Sequence, residues 1–328
     1  MSIDLRRMPK VELHCHLDGS MGYGVTQKLL QNMGEEWTID QLKEELSAPI
    51  DCDSLATYLK RFELPIRTIQ TREGLMASAK DLALTAAAEN VKYMEVRFAP
   101  VFSKTLGLSV PEIIDSVNKG LKEAEAEADI HTGIIVCGMR HLDMDNNLAM
   151  LREARELYGA GVVACDLAGD ELAFPTKNYV EFFQEAKRLG MPYTIHSGEC
   201  GSTENIEVAL ELGARRIGHG VAMANHPGLI EACAKKRVGV EMCPTSNLQT
   251  KALLDFATYP LTKYRKAGVL VSVNTDNRTV SCTDMTGEFE RLLTTFPMEE
   301  EDLRGIYRDS VEVSFATDDV KHALLKKW

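Results

Sequence analysis

Residues 10–20 read KVELHCHLDGS, a short β-prone run that ends in two histidines one residue apart, followed at once by an acid and a glycine. Residues i and i+2 of a strand point to the same face, so His14 and His16 project together from the end of this run. A lone His-x-His is more often two ordinary histidines than a ligand pair. What lies beyond it in the chain decides whether this one holds a metal.

Seven further β-rich runs follow: YMEVRFA (93–99), TGIIVCGMR (132–140), VVACDLAG (162–169), YTIHSGE (193–199), RIGHG (216–220), VGVEMCP (238–244) and VLVSVNTD (269–276). The segments between them have helical periodicity. In SVPEIIDSVNKGLKEAEAEA and NYVEFFQEAKRLG the apolar residues recur every three or four positions, and Gly190 closes the second as a stop signal. Strands alternating with helices imply a parallel sheet, because each return crossing needs a helix. Eight such units are the count of a (β/α)8 TIM-type barrel, which commonly reaches this length as one domain, here residues 1–328.

Roughly eighty residues separate the first two runs, too many for one crossover helix. Residues 17 to 75 are therefore expected to form a helical insertion that caps the barrel mouth. Within it Leu55, Tyr58, Leu59 and Phe62 fall on one helical stripe, either packed on the barrel or serving as an apolar lid over a flat ligand. From Asp284 onward the pattern is helical and reads as C-terminal closing helices.

The chain has 328 residues, 45% hydrophobic and 26% charged, with 37 basic against 49 acidic side chains and a net charge of −12. That balance argues against nucleic-acid and anionic-membrane partners, which need a basic face, and leaves room for a small neutral ligand. MSIDLRRMPK at the N-terminus has no secretory apolar core, and no run of eighteen apolar residues occurs. Eight scattered cysteines form no CxxC pair, which points to a reduced, cytoplasmic protein. Oligomeric state is not legible.

Barrel strands are buried on both faces and should be continuously apolar. These are expected to be so until their C-terminal ends, where His14, His16, Arg97, Asp166, His196, Glu199, His219 and Asp276 collect. Active sites of this fold lie at that rim. His14, His16, His196 and Asp276 make an N3O set suited to catalytic zinc, with iron, cobalt or manganese as alternatives. Glu199, three residues beyond His196, is placed for proton donation, and His219 for orienting or deprotonating a water. The constellation fits hydrolysis at an electrophilic carbon; amides, phosphotriesters and aminopurines all remain open.

Over essentially its whole length the chain resembles the adenosine deaminase family of the metal-dependent amidohydrolase superfamily. The motifs that carry the resemblance are ELHCHLDGS, VRFAP, DLAGDE, HSGE, RIGHG, CPTSN and VNTDN, in the family's order. The resemblance implies one zinc ion per chain on His14, His16, His196 and Asp276, and deamination of adenosine, with 2′-deoxyadenosine, to inosine and ammonia. A water that the zinc activates would attack purine C6, while Glu199 protonates or hydrogen-bonds N1 and His219, assisted by Asp276, holds the water. His16 would border the substrate, Gly169 would offer its backbone N–H to N3, and Asp18 would accept the ribose 5′-hydroxyl. The alternative is another aminopurine, adenine or an N6-substituted adenosine; a catalytically silent nucleoside-binding barrel is a further rival. One departure stands out. The mammalian form of the last motif has two consecutive aspartates, the second on purine N7, whereas this chain has Asn277, whose amide donates at every pH.

Overall fold

The computed structural model describes residues 3–49, 51–52 and 55–328. All eight expected strands are present: β1 (Lys10–His16), β2 (Val91–Phe98), β3 (His131–Met139), β4 (Val162–Ala168), β5 (Thr194–Ser197), β6 (Arg216–His219), β7 (Gly239–Met242) and β8 (Val271–Val273). They pair in parallel as two four-stranded sheets, β1-β2-β3-β4 and β5-β6-β7-β8. Parallel bridges at Cys165–Tyr193 and Cys15–Asp276 join the sheets at both edges. At the second seam His16 N–H donates to Asp276 O (2.7 Å) and Asp276 N–H to His14 O (2.9 Å). The strands thus succeed one another around a (β/α)8 ring.

β5 to β8 are shorter than their apolar runs. The last run reaches Asp276, but the ladder of β8 stops at Val273. The backbone explains this at two rim positions. His219 and Asp276 both have positive φ, and so leave the extended conformation where strand pairing ends.

The crossover helices follow their signals. Val110–Glu127 begins with a capping box between Ser109 and Glu112. Val180–Arg188 ends before Gly190, whose positive φ takes the left-handed turn. The insertion after β1 contains helices Tyr23–Asn32, Ile39–Leu46, Leu55–Leu59 and Glu63–Thr68, after which Arg72–Ala88 packs against Val110–Glu127 as the crossover to β2. Three helices close the chain, Met285–Thr295, Glu300–Val313 and Asp318–Leu324; the middle one packs on β1, β7 and β8. Among the described residues no helix is long and apolar enough to cross a membrane.

The barrel interior corrects the expectation of apolar strands with polar ends. Glu12, Glu95, Arg97, Arg216 and Glu241 are fully buried along the strands. Arg97 and Asp166, expected among the rim groups, belong to this inner layer. Arg97 donates to Asp166 (2.7 Å), to Glu241 (2.8 Å) and to Leu13 O (2.6 Å). Arg216 donates to Glu95 and Glu241, each at 2.5 Å. Charges can be buried at such depth only when every member is paired; removing one partner of a buried pair costs about 3–5 kcal/mol.

Candidate active site

His14 and His16 end β1, His196 lies in β5 and Asp276 follows β8, so the ring brings residues from three strands to one point. Their ligand atoms all lie within 4.8 Å of one another. His14 Nε2 is 3.2 Å and His16 Nε2 3.4 Å from Asp276 Oδ1, and the Nε2 atoms of His16 and His196 are 3.3 Å apart. The opposite ring nitrogens face carboxylates: His14 Nδ1 lies 2.8 Å from Glu241 and His196 Nδ1 2.9 Å from Asp166. A carboxylate on Nδ1 fixes the ring and leaves Nε2 as the coordinating atom, the arrangement found around protein-bound metals.

The electrostatics agree. Burial, with the Arg97 charge, pushes His14 down, and burial pushes His16 well below the ordinary imidazole range, so both keep free lone pairs. Burial would also lower His196, but the Asp166 carboxylate reverses the direction. Burial alone would raise Asp276; its contact with His14 instead holds the carboxyl well below the usual range. His14 Nε2 is buried and has no hydrogen-bond partner. Convergent imidazole nitrogens beside a carboxylate, one of them without a hydrogen-bond partner, suit a divalent metal.

Glu199 and His219 stand beside the cluster, with His219 Nε2 3.8 Å from Glu199 Oε2. Burial raises the Glu199 carboxyl above its ordinary range, although the nearby imidazole of His219 acts the other way. Asn247 Nδ2 lies 3.0 Å from His219 Nδ1, and Ser246 Oγ donates to Asp276 Oδ2 (2.6 Å). Both come from helix Pro244–Gln249, which proline starts at its first position.

A cavity of about 300 Å³ opens over this group, at the small end of the range for ligand sites. His16, Asp18, Tyr58, Leu59, Phe62, Gly169, His196, Glu199, His219, Asp276 and Asn277, all expected from the sequence, line it. His14 sits behind them, fully buried. The side chain of Leu55 lies outside the described residues, so that lid position stays open. Tyr58, Leu59 and Phe62 do face the cavity, which favours the lid over simple packing on the barrel. Asp18 is buried, and burial pushes its carboxyl up to about 6. Gly169 has a positive φ, a conformation that side chains rarely adopt.

Asn277 differs from the simplest expectation. Its Nδ2 donates to Tyr58 Oη (3.0 Å), and Tyr58 Oη is 2.7 Å from Ser281 Oγ. Its Oδ1 packs on Gly19, where an added Cβ would come within 1.9 Å. One amide N–H is therefore engaged by the lid, which leaves the second for a ligand.

Sequence reading missed the groups that steady the site: Glu241, Ser246, Asn247 and Glu171. Glu241 had a signal, an acid inside the apolar run VGVEMCP; Ser246 and Asn247 stood inside the quoted CPTSN. The cavity also takes Ile66, Phe102, Met139, His141 and Phe174. Phe102 and His141 stack, with centroids 5.8 Å apart at 13°. Among the described residues that line it there is no lysine or arginine.

A parallel barrel with imidazoles and a carboxylate gathered at the C-terminal ends of its strands defines the class as an amidohydrolase-type hydrolase. Comparison narrows it. The family model described as adenosine deaminase matches residues 9–328. An adenosine deaminase of Clostridium perfringens (strain ATCC 13124) is 41% identical over 326 residues, covering 98% of both chains. One from Vibrio vulnificus (strain YJ016) is 41% identical, covering 97% of both. The chain belongs to the adenosine deaminase family. Among solved structures, adenine deaminase from Arthrobacter aurescens superposes with a TM-score of 0.90 at 24% identity, covering 97% of each chain. The N6-methyl-AMP deaminase of Arabidopsis thaliana gives 0.85 at 24%, covering 98% of this chain and 96% of that one. These last two likenesses show the fold.

Proposed function

We propose that the protein is a cytoplasmic hydrolase that converts adenosine and 2′-deoxyadenosine to the corresponding inosine nucleosides and ammonia, with one zinc ion per chain. The observation that carries this reading is the cluster of His14, His16, His196 and Asp276 at the floor of a cavity that also presents a burial-raised Glu199. A zinc ion held there supplies Lewis acidity and brings the ionisation of a water to about pH 7.

The chain's own residues do the rest. Glu199, whose carboxyl burial pushes toward its acid form, hydrogen-bonds purine N1 and delivers a proton there as the ring loses aromaticity. His219, with Nδ1 accepting from Asn247 Nδ2, keeps its Nε2–H toward the reacting face and orients the water by donating to it. Asp276, steadied by Ser246, assists through its carboxylate. Gly169 N–H meets N3 and Asp18 takes the ribose 5′-hydroxyl. The free N–H of Asn277 meets N7 without needing an acid with a raised pKa. Tyr58, Leu59 and Phe62 cover the base and exclude water.

Two features support a nucleoside over its neighbours in chemistry. A 5′-phosphate would meet Asp18 and no cationic side chain in the cavity lining, an uncompensated charge. Free adenine would leave Asp18 without its partner, which costs the desolvation of a buried polar group. Metal analysis with a spectrophotometric screen of adenosine, 2′-deoxyadenosine, adenine, AMP and N6-methyladenosine on the purified protein tests the reading. The nucleosides should lead in kcat/KM by at least 100-fold, with about one zinc per chain; a lead by adenine, AMP or N6-methyladenosine would overturn it.

A further inference from the structure

Glu171 lies two residues beyond Gly169 and is 2% exposed, yet it does not line the cavity. Its carboxylate faces three successive backbone amides of the loop after β5. Oε2 accepts from Gly198 N–H (2.9 Å), and Oε1 accepts from the N–H of Glu199 and of Cys200 (2.8 Å). Asn205 Nδ2 adds a fourth donor to Oε2 (2.9 Å) and also reaches Glu171 O (3.1 Å). The turn that converges these amides depends on Gly198, with φ +77° and no space for a Cβ, which would stand 2.5 Å from Ile206 Cδ1. Successive N–H groups in such a turn form a concave anion site; here the anion is a side chain of the protein itself.

The side chain of Glu199 has little to direct it. Its Oε2 lies 3.8 Å from His219 Nε2, beyond hydrogen-bond reach, so the aim of its carboxyl is set chiefly by the backbone from which it leaves. That backbone is gripped at residue 199 and on both sides of it. The gripping residue is itself anchored: Asp170 Oδ1 accepts from Leu172 N–H (2.9 Å) and Ala173 N–H (3.1 Å), and Asn205 Oδ1 accepts from Thr176 N–H (2.7 Å).

We propose that Glu171 is a positioning residue for catalysis, a clamp that locks the loop bearing Glu199 to the segment bearing Gly169. One rigid unit then presents the proton donor to purine N1 and the backbone N–H to N3. Glu171 touches no substrate; it sets the distance and angle between two groups that do. Misplacement of a reacting group by about 1 Å is worth about 100-fold in rate. Charge-assisted bonds to three amides are the means of preventing it. This inference rests on the adenosine reading and adds to it a residue that acts through Glu199.

The test is Glu171→Gln in the full-length, zinc-loaded protein. An amide offers one acceptor where the carboxylate offers two, and turns a donor toward backbone donors. Adenosine kcat should fall about 100-fold with KM changed less than about threefold. The inhibition constant of 1-deazaadenosine, which has no N1 for Glu199 to meet, should stay within threefold of the unsubstituted protein, as should zinc content. Asn205→Ala, which leaves the carboxylate in place but removes one anchor, should show the same pattern at about a tenth of the size and decides the matter if Glu171→Gln does not fold. Wild-type kcat in the variant that folds overturns the proposal. Parallel loss of zinc, analogue binding and kcat in both variants also overturns it, because that is a merely structural role. Amide exchange at residues 198–200, faster in Glu171→Gln, reads the clamp without substrate. A chain that binds zinc and shows this exchange effect but ignores adenosine would sink the substrate reading and spare the clamp.

Discussion

Two polar groups of residues lie inside one barrel, and they differ in how their hydrogen bonds close. Along the strands, Arg97, Arg216, Glu95, Glu241 and Asp166 pair charge against charge, with contacts of 2.5–2.8 Å. At the strand ends, His14, His196 and Asp276 are buried and His16 is partly so, yet His14 Nε2 has no hydrogen-bond partner and two Nε2 atoms face each other at 3.3 Å. Each charge of the inner group meets an opposite charge, although Arg97 Nε is left without a hydrogen-bond partner; the outer group gathers several ligand-type atoms at one point beneath a cavity. Charges paired with one another serve as scaffold, whereas imidazoles and a carboxylate converging on one point beneath a cavity have the makings of a binding site. The two meet where Glu241 and Asp166 hold the far nitrogens of His14 and His196.

Substitutions on either side of that boundary test the distinction. The largest effect belongs to the open side: Glu199→Gln should lower kcat by about 10²- to 10⁴-fold while zinc content stays constant, measured by turnover and metal analysis together. Near-normal turnover would remove Glu199 from its role. The same residue is expected to set a pH limb. Its acid form is the one proposed to act and burial raises its pKa, so the alkaline limb of kcat/KM should decline as rising pH strips that proton. Glu199→Gln should show no such limb.

Glu241→Gln probes the boundary itself. Loss of the carboxylate behind His14 should weaken zinc binding by about 10- to 100-fold, measured by competition with a chelator. Unchanged zinc affinity with a lowered Tm would place Glu241 wholly in the scaffold. Next in size, Asn277→Ala should reduce adenosine kcat/KM by about tenfold, roughly the 1–1.5 kcal/mol of one hydrogen bond, and should reduce that of 7-deazaadenosine far less. An equal loss on both substrates would break the N7 assignment.

The smallest effect on activity is expected on the closed side, at Glu288. This buried carboxylate accepts from Thr245 N–H (3.0 Å) and Thr283 Oγ1 (2.6 Å), and burial raises it from 4.5 to about 7. A carboxyl with a raised folded pKa binds its proton more tightly in the native state. Its favourable contribution is therefore full below about pH 4.5 and lost as pH rises through about 7, a difference of roughly 3 kcal/mol. Thermal melts of Glu288→Gln between about pH 4.5 and 8 should be flatter than those of the unsubstituted protein, with turnover nearly unchanged. Parallel melting curves would show that Glu288 does not carry that term.

The sequence announces the open group more clearly than the closed one, for physical reasons. His14, His16, His196, Glu199, His219 and Asp276 stand at the ends of apolar runs, where a reader counting strands finds them together. Glu12, Glu95, Arg216 and Glu241 sit within the runs, and only three-dimensional pairing explains how charge is tolerated there. Glu171 was quoted inside DLAGDE but had no legible role, because its partners are backbone amides and any residue supplies those. Strand length was overestimated at β8 because apolar composition continues past Val273, whereas pairing stops as the backbone turns toward positive φ at Asp276. The lid stripe was legible as a helical face; the bond from Asn277 to Tyr58, which ties that face to the far end of the chain, was not.

The close packing of Asn277 on Gly19 constrains how this protein could change. Position 277 lines the cavity, so it is where altered purine preference would be sought, by mutation in nature or by a designer. Any side chain at residue 19 would collide with the present one, since even a Cβ would stand 1.9 Å from Oδ1. The two positions are sterically coupled although they lie far apart in the chain. A Cβ at 19 would also stand 2.9 Å from the Cβ of residue 277, so trimming that side chain to alanine does not make room, and any change at 277 short of glycine is made with Gly19 in place.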